Sequence, residues 1–425
     1  MYVALLFGSF LVVLALGFPV AVALGLSSAI YLLAKGIPLT VMPQTMYSGM
    51  DSFVLLCIPG FILAGNLMNG GGITERIIRF ANALVGRVRG GLGLTGITGS
   101  MIFAGISGTA VAEAASIGAV LIPGMRRAGY PVGFAAALTA AASTVGPIIP
   151  PSVPMIIVGT LTGISVGRMF LAGAVPGLLL GLGMMIACYV IAMRNDYPRE
   201  AWRGWRELAR SFAGAVWALL MTFIILFGIV GGLFTPTEAA VVSALYAFVI
   251  GLFVYRGFTL RDLPKIVADS AISSAAIVLI VGFAGSFGWI LTSEQIPQTL
   301  ANAVLSVTDN KYVVILLLNL LLLLVGMFME TIAALIILFP PLLAVATQVG
   351  IDPVHFATFA VLNLMIGLTT PPIGVCLFVC ANIARISLVE ITRAVLPFLF
   401  ANIAVLLLVS YWPALSLWLP GLFYD

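Results

Sequence analysis

Long stretches without a charged residue recur from one end of this sequence to the other. Residues 90–125 contain one charged side chain, Glu113, and residues 312–351 contain one, Glu330. Of the 425 residues, 62% are hydrophobic and 8% are charged, whereas a soluble domain carries about 25% charged residues. A transmembrane helix needs about 20 consecutive apolar residues. The chain is therefore predicted to be an all-α polytopic membrane protein, which excludes a soluble globular enzyme.

Charge and apolar length predict how the chain crosses the membrane. Nine crossings are expected at residues 3–33, 52–69, 132–163, 166–193, 212–232, 238–255, 263–291, 354–384 and 388–419. Residues 93–126 and 312–350 are predicted to form re-entrant hairpins instead. The reason is length, since each arm of about 16 residues spans roughly 25 Å, less than a hydrocarbon core of about 30 Å.

The distribution of lysine and arginine predicts the orientation. With the first hairpin entering from the cytoplasm, sixteen of the 19 basic residues lie inside, and only Lys35, Arg168 and Lys311 lie outside. Cytoplasmic loops of membrane proteins carry such an excess of positive charge. The count predicts a cytoplasmic N-terminus and an external C-terminus.

Similar motifs recur at a separation near 221 residues. The pair Pro150-Pro151 matches Pro371-Pro372, and Gly105 matches Gly326. We therefore predict a first inverted repeat over residues 1–211, a connecting helix over 212–232 and a second repeat over 233–425. The helices at about 132–163 and 354–384 are expected to be broken at the paired prolines. Inverted-topology repeats are typical of secondary transporters that bind their substrate near the bilayer midplane.

The breaks and hairpin tips are rich in glycine, proline, serine and threonine. Proline removes a backbone donor and glycine permits close approach, so carbonyl and hydroxyl oxygens are exposed without a fixed charge. Such oxygens suit Na⁺, and the N-termini of half-helices suit an anion. The alternative is that glycine and proline merely kink these helices.

Four further features have two interpretations each. Glu113 and Glu330 stand where each hairpin returns, and could cap helix N-termini or couple transport to substrate, ion or proton. The segments Ile73–Val88 and Glu294–Val307 are amphipathic; three glycines precede the first, and Pro297 opens the second. They could act as hinged arms or as interfacial anchors.

Three motifs carry a resemblance to a known family. The string SGTAVAEAASIGAVLIPGM and the breaks GPIIPPS and GLTTPPIG resemble the large membrane subunit of tripartite ATP-independent periplasmic (TRAP) transporters. The resemblance implies an elevator mechanism, a small four-helix membrane subunit and a periplasmic protein that delivers an organic acid.

Carried onto this chain, the family's motifs imply two Na⁺ sites and one substrate site. The first cation site would involve Ser107, Gly146, Ile149 and Pro151, and the second Gly326, Gly367, Thr370 and Ile373. Substrate would lie between Ser107, Thr109, Thr144, Thr331 and Thr369.

The expected function is sodium-coupled uptake of a carboxylate or sulfonate anion. A proton-coupled carrier, a carrier that needs no binding protein, or an anion channel is the alternative. The sequence carries no catalytic or nucleotide-binding motif, and nothing in it points to a nucleic-acid partner.

Overall fold

The computed structural model describes residues 2–202 and 204–424, and gives no side-chain placement for residues 105–107, 301, 305 and 307. Over the described residues the chain forms twenty α-helices. The first eleven are Tyr2–Ala15 (α1), Val20–Lys35 (α2), Val41–Met50 (α3), Cys57–Gly70 (α4), Ile73–Val85 (α5), Gly91–Ser107 (α6), Ala110–Arg127 (α7), Val132–Ala142 (α8), Val153–Thr162 (α9), Val166–Arg194 (α10) and Trp205–Val230 (α11). The other nine are Pro236–Val249 (α12), Leu263–Ser293 (α13), Ile296–Val307 (α14), Lys311–Gly326 (α15), Thr331–Gln348 (α16), Pro353–Gly367 (α17), Val375–Ala384 (α18), Leu388–Tyr411 (α19) and Ala414–Tyr424 (α20).

The long apolar helices make this a polytopic membrane protein, as the composition predicts. Within the described ranges, 7 helical segments are long and apolar enough to cross a bilayer. Polar side chains cap the starts of several helices: Thr235 and Glu238 form a capping box at α12, and the Asp352 side chain accepts from two backbone amides at the start of α17. Side chains of this kind satisfy amides that have no partner inside the helix.

The single crossing expected over residues 3–33 is wrong. Helices α1 and α2 are separated by a turn at Gly17, which has φ 85°, and they pack against each other. The Tyr2 and Tyr31 rings are 6.5 Å apart, so the chain returns to the end at which it started. Glycine permits this turn at no steric cost, and hydropathy alone does not distinguish one long helix from two short ones. The cytoplasmic position of the N-terminus rested on that crossing and loses its basis.

Two helix pairs fold back on themselves. In the pair α6–α7, the amide of Gly90 and the hydroxyl of Tyr130 both donate to the carbonyl of Pro198, at 3.3 and 3.0 Å. In the pair α15–α16, the Lys311 ammonium donates to the carbonyl of Gly350 at 2.8 Å. Each pair therefore begins and ends at one place.

The two hairpins and two broken helices form one packed body. The arms α6 and α7 pack on α8, and α15 and α16 pack on α17. In addition, α7 crosses to α18 and α16 crosses to α9. Each returning arm therefore contacts the broken helix of the other half, which places both breaks in the interior beside α10 and α19.

A second group of helices lies beside this body and is joined to it by α5 and α14. Helices α2, α3 and α4 pack on α13, and α4 also packs on α12. The residues that precede the two arms, Gly72 and Gln295, have left-handed φ values of 74° and 54°. Both arms therefore start at a sharp change of chain direction.

Candidate functional site

The second hairpin meets the second break through its backbone. A methyl group placed on Gly367 would lie 2.6 Å from the Cα of Gly326 and 2.8 Å from its carbonyl oxygen. Only glycine permits so close an approach of two main chains. Gly326 and Gly367, which the sequence assigns to one cation site, are therefore direct neighbours.

Two threonines at this break present hydrogen-bond acceptors. Thr369 and Thr370 both donate their hydroxyl hydrogens to the carbonyl of Ile366, at 2.9 Å in each case. Both side chains are buried. A hydroxyl whose hydrogen is used in this way offers only lone pairs to another partner. The geometry suits a cation better than an anion.

Hydroxyl groups at the first break also donate to backbone carbonyls of their own helix. Thr144 donates to the carbonyl of Ala141 at 2.8 Å, and Ser143 donates to that of Ala140 at 2.8 Å. Thr144 and Thr369 were both assigned to the substrate by the sequence. In this structure neither hydroxyl has a hydrogen left for an anion, so their oxygens face the site as acceptors.

The carboxylate of Glu113 lies against the first break. Its side chain is fully buried, and a methyl group placed on Gly146 would overlap the carboxylate. Thr109 is the N-cap residue of α7, so Glu113 lies in the first turn of the returning arm. Ser107 lies outside the residues whose side chains are described.

Helix α10 supports the first break from behind. A methyl group on Gly173 would lie 2.6 Å from the carbonyl oxygen of Ile148, and one on Gly177 would lie 3.3 Å from the amide of Ile149. These glycines line up at the four-residue spacing that permits close backbone packing in membranes. The sequence analysis missed them, although the spacing was a readable signal.

Serine and proline shape the loop itself. Ser152 donates to the carbonyl of Pro147 and accepts from the amide of Met155 at 3.2 Å, which caps α9. Pro151, assigned to the first cation site, is buried in this loop. The Pro150–Pro151 and Pro371–Pro372 peptide bonds are both cis.

Glu330 stands at the start of the other returning arm. It is the N-cap residue of α16, and its carboxylate accepts from the amides of Ile332 and Ala333 at 2.9 and 3.2 Å. The next residue, Thr331, is 1% exposed, and its hydroxyl has no hydrogen-bond partner among the described residues. Of the five residues assigned to the substrate, Thr331 is thus the one whose hydroxyl is seen to be available to donate.

Ile373 faces outward from the second break. It is 38% exposed and lines a largely apolar cavity of about 480 Å³ with Leu11, Phe328 and Met329. The cavity separates the second hairpin tip from α1. Its walls carry no charged side chain, so it is unsuited to hold the anionic group of a substrate.

Comparison with known proteins identifies the family. The sequence model described as "Tripartite ATP-independent periplasmic transporter, DctM component" matches residues 7–415. The chain is 44% identical over 408 residues to a sialic acid TRAP transporter large permease protein of Vibrio cholerae, covering 96% of each chain. It is 39% identical to the C4-dicarboxylate large permease protein DctM of the same organism, over 99% of this chain and 98% of that one. An isethionate permease protein, DctMQ of Oleidesulfovibrio alaskensis, is 40% identical over 98% of this chain and 66% of its own length.

Two solved transporters share the fold at low sequence identity. The YdaH transporter of Alcanivorax borkumensis superposes with a TM-score of 0.59 at 18% identity, covering 89% of this chain and 88% of the other. MtrF of Neisseria gonorrhoeae superposes with a TM-score of 0.60 at 13% identity, over 87% and 83%. These two structures show the fold alone, whereas the family model and the curated relatives are transporter permeases and not enzymes. The chain belongs to the DctM family, the large membrane permeases of tripartite ATP-independent periplasmic transporters.

Proposed function

We propose that this protein couples the uptake of an organic acid anion to Na⁺. The observation that carries the proposal is the second break, where Gly326 and Gly367 touch and Thr369 and Thr370 present acceptor-only oxygens. Uncharged carbonyl and hydroxyl oxygens at a helix break suit a small monovalent cation. The first break, with Gly146, Ile149, Pro151 and the predicted Ser107, would hold a second Na⁺.

The substrate class follows from the relatives and from the site's charge. The relatives are named for sialic acid, isethionate and C4-dicarboxylates, which share a carboxylate or sulfonate group. In this chain the anionic group would bind between the hairpin tips, where the N-terminus of α7 beside Thr109 offers amide donors and the Thr331 hydroxyl at the start of α16 can donate. Thr144 and Thr369 would contact the bound Na⁺ or hydroxyl groups of the substrate.

Movement is proposed to follow an elevator mechanism. The body of hairpins and broken helices would slide past the group formed by α2, α3, α4, α12 and α13, with α5 and α14 as the linking arms. Support comes from the left-handed residues Gly72 and Gln295 at the start of the arms. A rigid body on two hinged arms can move as a unit.

The partners proposed are a small four-helix membrane subunit and a periplasmic binding protein. The permease would lie in the bacterial inner membrane, with the loop that contains Arg194 and Arg199 inside. Because α1 and α2 fold back, the N-terminus would lie with Lys35 on the periplasmic side, and so would the C-terminus.

The test is uptake in proteoliposomes that contain all three components. Labelled sialic acid, isethionate and succinate serve as probes, and external Na⁺ is replaced by choline. Uptake of at least one probe should collapse in choline. Undiminished uptake of every transported probe would contradict sodium coupling, and uptake restored by a pH gradient alone would favour the proton-coupled alternative.

A matched pair of threonines localises the effect. Thr370→Ala removes an acceptor at the second break, whereas Thr98→Ala removes a hydroxyl from α6, an arm of the first hairpin. We expect the first variant to raise the Na⁺ concentration for half-maximal uptake by about fivefold or more. Thr98→Ala should leave this Na⁺ concentration unchanged. If both variants gave the same value, the cation would bind elsewhere.

A further inference from the structure

Two buried asparagines join the second hairpin to the second broken helix. The side-chain amide of Asn363 on α17 donates to the carbonyl oxygen of Asn319 at 2.9 Å and to its side-chain oxygen at 2.8 Å. Asn319 is 4% exposed and Asn363 is 0% exposed. Inside a bilayer such bonds do not exchange with water. This amide pair therefore fixes α15 against α17.

The amide pair continues into a chain of polar contacts. The hydroxyl of Ser410 on α19 donates to the side-chain oxygen of Asn319 at 3.4 Å. His355, at the start of α17, contacts the carbonyl oxygen of Ser410 with its Nε2 at 3.0 Å. Three helices, α15, α17 and α19, are thus held together by polar groups within an otherwise apolar interior.

On both helices the amide pair lies on the N-terminal side of the contact between Gly326 and Gly367. Asn319 precedes Gly326 by seven residues and Asn363 precedes Gly367 by four. Both spacings return to the same face of a helix. At 1.5 Å per residue the pair is about 10 Å from the glycine contact along α15 and about 6 Å along α17. A change in the register of the two helices at the pair would be transmitted to the glycines.

We propose that Asn319 and Asn363 are positioning residues for the second cation site, setting the separation of hairpin and break at which its oxygens bind Na⁺. The inference rests on the proposed sodium coupling. The positions 221 residues earlier are Thr98 and Ala142, and alanine cannot form this bond. The pair therefore acts on the second site and has no counterpart at the first.

The test measures binding of Na⁺ alone, so it does not depend on the substrate. Melting temperature of the purified permease is recorded against Na⁺, with choline holding the ionic strength constant, since a ligand that binds the native state stabilises it. The key variant is the double change Asn319→Leu with Asn363→Leu. Replacing both partners leaves no unpaired side-chain amide, so the fold is expected to tolerate it. Asn363→Gln, which keeps the amide but lengthens it, is the second variant.

Both variants should raise the Na⁺ concentration for half-maximal stabilisation by about fivefold to tenfold. Asn402→Leu is the control, because Asn402 is equally buried on α19 but outside the polar chain, and it should behave as the unaltered protein. Combining the double change with Thr370→Ala should lower Na⁺ affinity by less than the sum of the two separate effects on binding free energy. Combining it with Ser107→Ala should give the full sum.

The outcomes separate the two proposals. If the unaltered protein shows no Na⁺-specific stabilisation and no sodium-dependent uptake, the proposed function fails. If it responds to Na⁺ and the folded variants respond at the same concentration, the positioning role is wrong. A loss of melting temperature in choline with unchanged Na⁺ response likewise overturns it, because the pair would then be structural alone.

Discussion

Glu113 and Glu330 stand in matched places on the two hairpins, 217 residues apart, yet their carboxylates have different surroundings. Glu330 caps α16 by accepting from two backbone amides. Glu113 lies in the first turn of α7, with its carboxylate against Gly146 of the break. One acid stabilises its own helix, whereas the other borders the neighbouring element.

The same contrast extends to the way each break is held. At the second break two main chains touch at Gly326 and Gly367, and the Asn319–Asn363 pair fixes the same two helices nearer their N-termini. At the first break the neighbour of Gly146 is the end of a side chain. The second break is thus built from rigid and uncharged parts, whereas the first has the carboxyl end of a side chain against it. Equivalent positions in similar halves therefore need not share a mechanism.

The largest expected effect tests the rigidity of the second break. Gly367→Ala sets a methyl group 2.6 Å from the backbone of Gly326, which cannot withdraw. We expect Na⁺ affinity at the second site to fall by about tenfold or more, as overpacking of this kind is costly. The readout is the Na⁺ dependence of uptake.

Gly146→Ala is the matched change at the first break. Its methyl group meets a side chain, so adding Glu113→Asp, which shortens that side chain, should restore part of the lost uptake. No side-chain change at Gly326 can rescue Gly367→Ala, because glycine has none. Failure of Glu113→Asp to improve Gly146→Ala would show that both breaks are equally rigid.

The second prediction separates the two acids by charge. Glu113→Gln keeps the shape but removes the acidic group beside the first break. We expect the Na⁺ concentration for half-maximal uptake to rise by about tenfold. Glu330→Gln keeps an acceptor at the start of α16, and should cost about 1 kcal/mol of stability with little change in Na⁺ dependence. Equal shifts in Na⁺ dependence would mean that the acids share one role.

The smallest effect concerns the two arms. At the start of α5, Arg76 donates to the carbonyl of Gly72 at 2.8 Å, and its guanidinium carbon lies 4.1 Å from the centre of the Tyr255 ring. Before α14, Glu294 instead accepts from Lys35 and Tyr31. The hydrogen bond from Lys35 lowers the pKa of Glu294 below its ordinary value. The Glu294 contact is thus complete above that ordinary value and is lost as pH falls through the lowered pKa.

Glu294→Gln should therefore lower uptake at neutral pH by no more than about twofold, since exposed ion pairs contribute little. The difference in uptake between the variant and the unaltered protein should vanish at pH values below the pKa of Glu294. Uptake is measured at matched Na⁺ across the pH range, with Asp309→Asn as a control for loss of an outer acid. A difference that persists at acid pH would mean that charge is not what holds this arm.

Much of the fold was predictable because membranes restrict the choices. Backbone groups in hydrocarbon must be paired, so Pro150-Pro151 and Pro371-Pro372 inside apolar runs marked breaks that line an interior site. The segments around Glu113 and Glu330 were too short to cross twice, and they fold back. Residues 3–33 misled the prediction because a turn at Gly17 leaves no mark on hydropathy.

The sequence predicted which residues stand at the breaks and hairpin tips; their roles in binding stay predictions, and their hydrogen bonding could not be predicted from it. Thr144 and Thr369 are of the residue type expected of substrate ligands, yet each hydroxyl donates its hydrogen to a backbone carbonyl of its own helix. The amide pair was missed because each asparagine depends on a partner far away in the chain, whereas Gly173 and Gly177 were missed although their four-residue spacing was a readable signal.

Sequence alone determined that this chain lies in a membrane, that two helices break at paired prolines and which oxygen-rich motifs stand at those breaks, because those properties follow from local composition and from the absence of water in a bilayer. Tertiary structure decided which hydroxyls keep a hydrogen to donate, which glycines touch, and why Glu113 borders a break while Glu330 caps a helix. Those outcomes depend on contacts between residues distant in the chain, which no local pattern specifies.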